Sequence, residues 1–133
     1  MARRKVFISY DYDHDKNYKN LLVAWDKNDQ FDFAFTDMSA DVSVDLDDAA
    51  AIRRAISAKI NAATYFLCLV GKHTHKSRWV GWEIGKAKEL KRKLVAVKID
   101  RDYETPAGLL NAGVSWAYCF TLESIGKAVE AAS

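Results

Sequence analysis

The spacing of apolar and polar positions changes period several times along this chain, and each change marks an element. Lys5–Tyr10 (KVFISY) is a short β-rich run that ends in the polar segment Asp11–Asp15, which predicts a first strand and its loop. Tyr18, Leu21, Leu22 and Trp25 then recur at helical spacing and predict a first helix that fades near Asn28–Asp29. Phe31, Phe33 and Phe35 alternate with Asp32 and Ala34, the pattern of a strand with one wetter face at a sheet edge. Beyond an acidic loop, Asp47 or Asp48 can cap a second helix whose Ile52, Ile56 and Ile60 share a face.

The middle of the chain is more apolar. Thr64–Val70 (TYFLCLV) has the composition of a central parallel strand covered on both sides. Ser77 can cap a third helix that runs to about Lys91 and offers Val80, Ile84 and Ala87 to the core. Leu94–Ile99 (LVAVKI) predicts the fourth strand, followed by a longer loop with Tyr103 and Pro106 and a helical turn at Leu109–Leu110. Trp116–Phe120 predicts a fifth strand, and Leu122, Ile125 and Val129 a closing helix capped by Thr121. Strands alternating with helices imply parallel βαβ units with right-handed crossovers. The expected fold is α/β and flavodoxin-like: a doubly wound, five-stranded parallel sheet of order 2-1-3-4-5. Its switch point falls between strands one and three, so a ligand cleft is expected from Ser9–His14, Gly71–Lys76 and the start of the third helix.

Composition narrows the function classes. A chain of 133 residues fits a single domain, 1–133, and buries about two-thirds of the surface it exposes when unfolded. Twenty Lys and Arg against 18 Asp and Glu leave a formal charge of +2, too near neutral to argue for nucleic acid or an anionic membrane. No apolar run approaches the roughly 20 residues of a membrane span, and the N-terminus lacks a signal-peptide core, so a cytoplasmic protein is expected. Cys68 and Cys119 both lie in apolar strand-like segments and read as small core residues of a reduced protein.

Several chemistries are absent. Neither G-x-G-x-x-G after a strand nor G-x-x-x-x-G-K-[ST] occurs, which removes the dinucleotide and P-loop fingerprints. A phosphoacceptor aspartate is missing from the end of strand three, where Val70-Gly71-Lys72 stands, and the histidines lie in loops without a nucleophile elbow. Asp11, Asp13 and Asp15 alternate like an EF-hand opening, but Lys16 and Leu22 occupy the positions that need Gly and Glu. His73 and His75 lack a third ligand and read as solvated side chains; no metal site is expected.

Glu83 has two readings. As an exposed helical glutamate it would pair with Lys86 at i+3. As a functional group it starts from a helix that directly follows the central strand's loop, with Trp79 one turn earlier on the same face. An indole beside a carboxylate at a cleft suits a flat, cationic, ribose-bearing substrate, with core packing as the rival role for Trp79 and Trp82.

These residues carry a family likeness. The run Leu69-Val70-Gly71, Thr74, Arg78-Trp79-Val80 and Glu83-Ile84 resembles the TIR-like domains of Thoeris anti-phage defence, the ThsB type. Ser77, Trp79 and Glu83 also fit the broader TIR pattern S-x-W-x-x-x-E. Val6-Phe7-Ile8-Ser9-Tyr10 resembles the first TIR box, and Asp37-x-Ser39 is similar to a short Thoeris motif. The likeness spans roughly Arg4 to Asp100, and the chain lacks the R-D-x-x-P-G loop of eukaryotic adaptor TIRs. The resemblance implies cleavage of NAD+ at its nicotinamide–ribose bond, with the ADP-ribose part cyclised or otherwise converted into a signal. It implies that Glu83 is catalytic and that Ser9, Tyr10, Asp11, Asp37, Ser39 and Trp79 bind substrate. NAD+ would be substrate and no cofactor is implied. The implied partners are NAD+ and a separate effector protein that senses the product, with room for self-association. A nucleoside deoxyribosyltransferase-like enzyme and a non-catalytic TIR-like interaction module are the alternatives.

Overall fold

A computed structural model describes residues 4–28, 33–35 and 49–132. Its elements run β1 (Arg4–Ser9), α1 (Tyr12–Lys27), β2 (Phe33–Phe35), α2 (Ala49–Ala62), β3 (Tyr65–Val70), α3 (Arg78–Glu89), β4 (Lys93–Lys98), β5 (Ser115–Ala117) and α4 (Leu122–Ala131), alternating strand and helix except between β4 and β5. Short 3-10 turns occupy Thr74–Lys76 and Ala107–Leu109. Neighbouring strands are parallel, in the order β2-β1-β3-β4-β5.

The alternation of side chains along each strand divides the apolar residues between two faces. On β3, Tyr65, Leu67 and Leu69 point to one side, where Val6, Ile8, Val95 and Val97 meet Leu22 of α1 and Ile125 and Val129 of α4. Phe66, Cys68 and Val70 point to the other, packing with Phe7 and with Ile56 and Ile60 of α2 and Val80, Ile84 and Ala87 of α3. Every residue of β3 is buried, as a strand covered on both faces requires. Phe7 and Phe66, opposite each other in the β1–β3 register, stack at 5.7 Å.

Four expectations need correction. The segment Asp11–Asp15 is not a loop: Asp11 accepts the Asp13 backbone N–H at 3.1 Å as the N-cap, so α1 begins at Tyr12. Leu21 is 40% exposed, because α1 turns Leu22 to the sheet with Tyr18 and Trp25 beside it and leaves position 21 at the edge of that stripe. The fifth strand stops at Ala117 rather than Phe120, which leaves Tyr118 and Cys119 on the surface. Cys119 is therefore exposed, not a core residue, and its Sγ lies 3.0 Å from Ser124 Oγ at the start of α4. Phe31, Asp37, Ser39, Asp47 and Asp48 lie outside the described residues.

Candidate active site

The parity of β1 explains how the site is assembled. Phe7 faces the α2/α3 side and Ile8 the opposite side, so Ser9, level with Cys68 in the neighbouring strand, turns its hydroxyl toward α3. On α3, Ser77 caps the first turn by accepting the Val80 N–H at 3.2 Å. The helix then buries Val80, Ile84 and Ala87, and Glu83 lies on that same stripe, three residues after Val80 and four before Ala87. Its carboxyl is carried under the carboxyl edge of the sheet, where Ser9 Oγ donates to Glu83 Oε1 at 2.7 Å.

Glu83 is only 2% exposed, and its Oε2 is buried with no hydrogen-bond partner among the described residues. Burial pushes its carboxyl up to about 8, against the opposing pull of the Ser9 hydrogen bond. The exposed-glutamate reading is overturned, since Lys86 pairs with Glu89 at 3.0 Å instead. A neutral carboxylic acid is the form that a dry site favours, and an orphaned oxygen is a vacancy in its hydrogen bonding.

The other sequence-derived candidates divide by position. Trp79 is partly buried against the α2/α3-side core, edge-on to Trp82 at 5.8 Å and beneath the Arg53 guanidinium at 5.7 Å from its ring centre. Tyr10, one residue past Ser9, turns to the opposite face and packs with the α1/α4-side core. Asp11 caps α1 and binds His14. The structure thus joins Ser9 to Glu83 directly, while Tyr10 packs on the opposite face and Asp11 caps α1.

A second buried carboxyl was not singled out from the sequence. Asp15 is 5% exposed, and Thr74 Oγ1 donates to its Oδ2 at 3.3 Å while accepting the Gly71 N–H at 2.8 Å. Burial and the neighbouring Asp11 carboxylate raise its proton affinity. A side chain on Gly71 would collide with the Asp15 carboxylate, so the glycine of Val70-Gly71-Lys72 is required by this close approach. His73 is half-buried, and its ring lies 4.0 Å from that of His14, centre to centre, at a tilt of 35°. His75 Nδ1 is buried without a partner among the described residues. The signal for Asp15 was present only as an aspartate on the same helical face as Leu22.

Among the described residues no group of three or more His, Cys, Asp or Glu is arranged to hold a metal ion, and no helix is long and apolar enough to cross a membrane.

A parallel α/β sheet with a buried carboxyl at the crevice between β1 and β3 is the architecture of a TIR-like, flavodoxin-like domain. The chain belongs to the Thoeris ThsB family: the family model described as Thoeris protein ThsB, TIR-like domain, matches residues 7–104. That stretch holds Ser9, Asp11, His14, Asp15, the loop after β3 and Glu83, and stops short of β5 and α4. Among curated proteins, none matches the chain. Family membership points to a role in anti-phage defence.

Proposed function

We propose that the chain is an NAD+-cleaving TIR-like enzyme that releases nicotinamide and converts the ADP-ribose part, by cyclisation or a related step, into a signal for a separate effector. The observation that carries this reading is the buried Glu83 carboxyl, bonded through one oxygen to Ser9 and with no partner for the other among the described residues. Nicotinamide departs as a neutral molecule from a cationic pyridinium, so no acid is needed to protonate it, and the second carboxylate of ordinary glycoside hydrolysis becomes dispensable. One fixed carboxylate can hold ribose hydroxyls and stabilise the developing oxocarbenium charge in a dry crevice. The substrate's own positive charge favours the ionised form of Glu83, which burial alone disfavours. Trp79, together with Asp37 and Ser39, would contribute to holding the dinucleotide, in a cytoplasmic setting where NAD+ is at hand.

The test is nicotinamide release and NAD+ loss, followed by mass spectrometry in phage-challenged cells expressing the chain. Glu83→Gln is expected to abolish both signals and protection against phage. Full retention of either in that variant overturns the assignment. Transfer of deoxyribose between bases, with NAD+ untouched, would replace it with the deoxyribosyltransferase alternative.

A further inference from the structure

A polar pair at the carboxyl ends of β1 and β3, where His14 of α1 packs its ring on His73 of the loop after β3, has no part in bond cleavage as derived above. Asp11 and His14 lie at the start of α1, directly after the strand that carries Ser9. Both carboxylate oxygens of Asp11 are engaged: Oδ1 accepts the Asp13 N–H at 3.1 Å and Oδ2 accepts from His14 Nδ1 at 2.8 Å. Asp11 is 12% exposed at its side chain and His14 49%, so the carboxylate is largely covered while the imidazole reaches water. With Nδ1 bound to Asp11, the ring's other nitrogen, Nε2, is left with its lone pair and has no partner among the described residues. An imidazole oriented through one nitrogen by a fixed carboxylate and open at the other is the arrangement of a general base.

We propose that the Asp11–His14 pair accepts the proton released in the second half of the reaction, a step that rests on the NAD+-cleaving reading. In the first half the C–N bond breaks and nicotinamide leaves with the bonding pair, so no proton moves. In the second half the ribosyl cation is captured by a hydroxyl, of water or of the same nucleotide. A C–O bond forms, an O–H bond breaks, and the proton passes to His14 Nε2 while Nδ1–H stays on Asp11. Glu83 is poorly placed to export that proton, being 2% exposed with Ser9 on one oxygen, whereas the His14 side chain is 49% exposed. His14 hands it to solvent. The charged and titratable groups around the imidazole are Asp11 and the buried Asp15 from α1 and His73 from the loop after β3, while Lys16 turns to the Tyr12 hydroxyl at 3.2 Å.

The experiment compares two captures of the same cation by the full chain purified from phage-challenged cells. Hydroxyl capture, read as hydrolysed or cyclised product, releases a proton. Capture by a neutral pyridine base such as 3-acetylpyridine, read as the exchanged dinucleotide, releases none. His14→Gln keeps a hydrogen bond to Asp11 but cannot take up a proton. It is expected to slow hydroxyl capture by at least ~100-fold while base exchange stays within about twofold, the second rate also serving as the folding control. Asp11→Asn is expected to shift the ratio the same way by less. An unchanged ratio in His14→Gln, or equal loss of both captures, overturns the proposal and leaves NAD+ cleavage standing. A parent chain that releases no nicotinamide at all overturns both.

Discussion

Two single residues carry effects large enough to measure. Glu83 holds its proton to about pH 8 in the folded protein, against an ordinary value of 4.5. Between those limits the folded chain binds a proton that the unfolded chain has lost, so this group's contribution to stability declines as pH rises from 4.5 through about 8. The total loss is on the order of a few kcal/mol. Glu83→Gln keeps the shape and still accepts the Ser9 hydroxyl, but has no charge to bury. Its thermal midpoint is expected to match the parent near pH 5 and to exceed it increasingly toward pH 9. Calorimetry at three pH values checks this, and a gap that narrows with pH would refute the buried carboxyl. Gly71 is the second case. A methyl group there meets the Asp15 carboxylate, so Gly71→Ala should cost about 1–3 kcal/mol in urea denaturation, as overpacking does. Combined with Asp15→Ala, most of that cost should disappear, because the two changes remove the same collision.

At the scale of elements, the two capped helices separate stability from site geometry. Ser77 caps α3 and Thr121 caps α4, each accepting the N–H three residues on. Either Ser77→Ala or Thr121→Ala should cost ~1 kcal/mol of stability. Only the first frees the helix that carries Glu83, so NAD+ turnover should fall in Ser77→Ala and hold in Thr121→Ala; equal turnover in both would show that the cap does not set the carboxyl's position. Both caps were legible because each hydroxyl stands directly before an apolar repeat of helical period. The same holds for β3, read to within a residue at Tyr65–Val70. Composition failed where it outran backbone pairing: Trp116–Phe120 is apolar throughout, yet the pairing with β4 ends at Ala117. For α1, the acidic run Asp11–Asp15 hid a helix start, since its first aspartate is the cap and its last is turned inward to Thr74. Glu83 was the subtler case. Its spacing from Val80 and Ala87 put it on the buried stripe, but a glutamate there reads as a surface residue until its partner is known. That partner, Ser9, lies 74 positions away, and no local pattern specifies such a contact.

For the whole molecule, the apolar sandwich is what makes a desolvated carboxyl tolerable and therefore usable. Val6 to Ile8, all of β3 and the middle of β4 are closed from water, and the Glu83 oxygen that has no partner among the described residues lies at one end of that dry layer. Filling this end with a cationic ligand changes the charge state of the fold. A pyridinium dinucleotide favours the ionised carboxylate, so its binding must expel the proton that the empty site retains. For a carbocyclic NAD+ analogue that cannot be cleaved, affinity should therefore rise about tenfold per pH unit below pH 8 and level off above it. Calorimetric titrations in two buffers of different ionisation enthalpy should detect close to one proton released per ligand at pH 6.5. ADP-ribose, which lacks the pyridinium charge, should show a much weaker slope, and Glu83→Gln none with either ligand. An affinity for the analogue that ignores pH would mean that the ligand's cation never approaches this carboxyl, and the crevice between β1 and β3 would then bind NAD+ by its adenosine or phosphates alone.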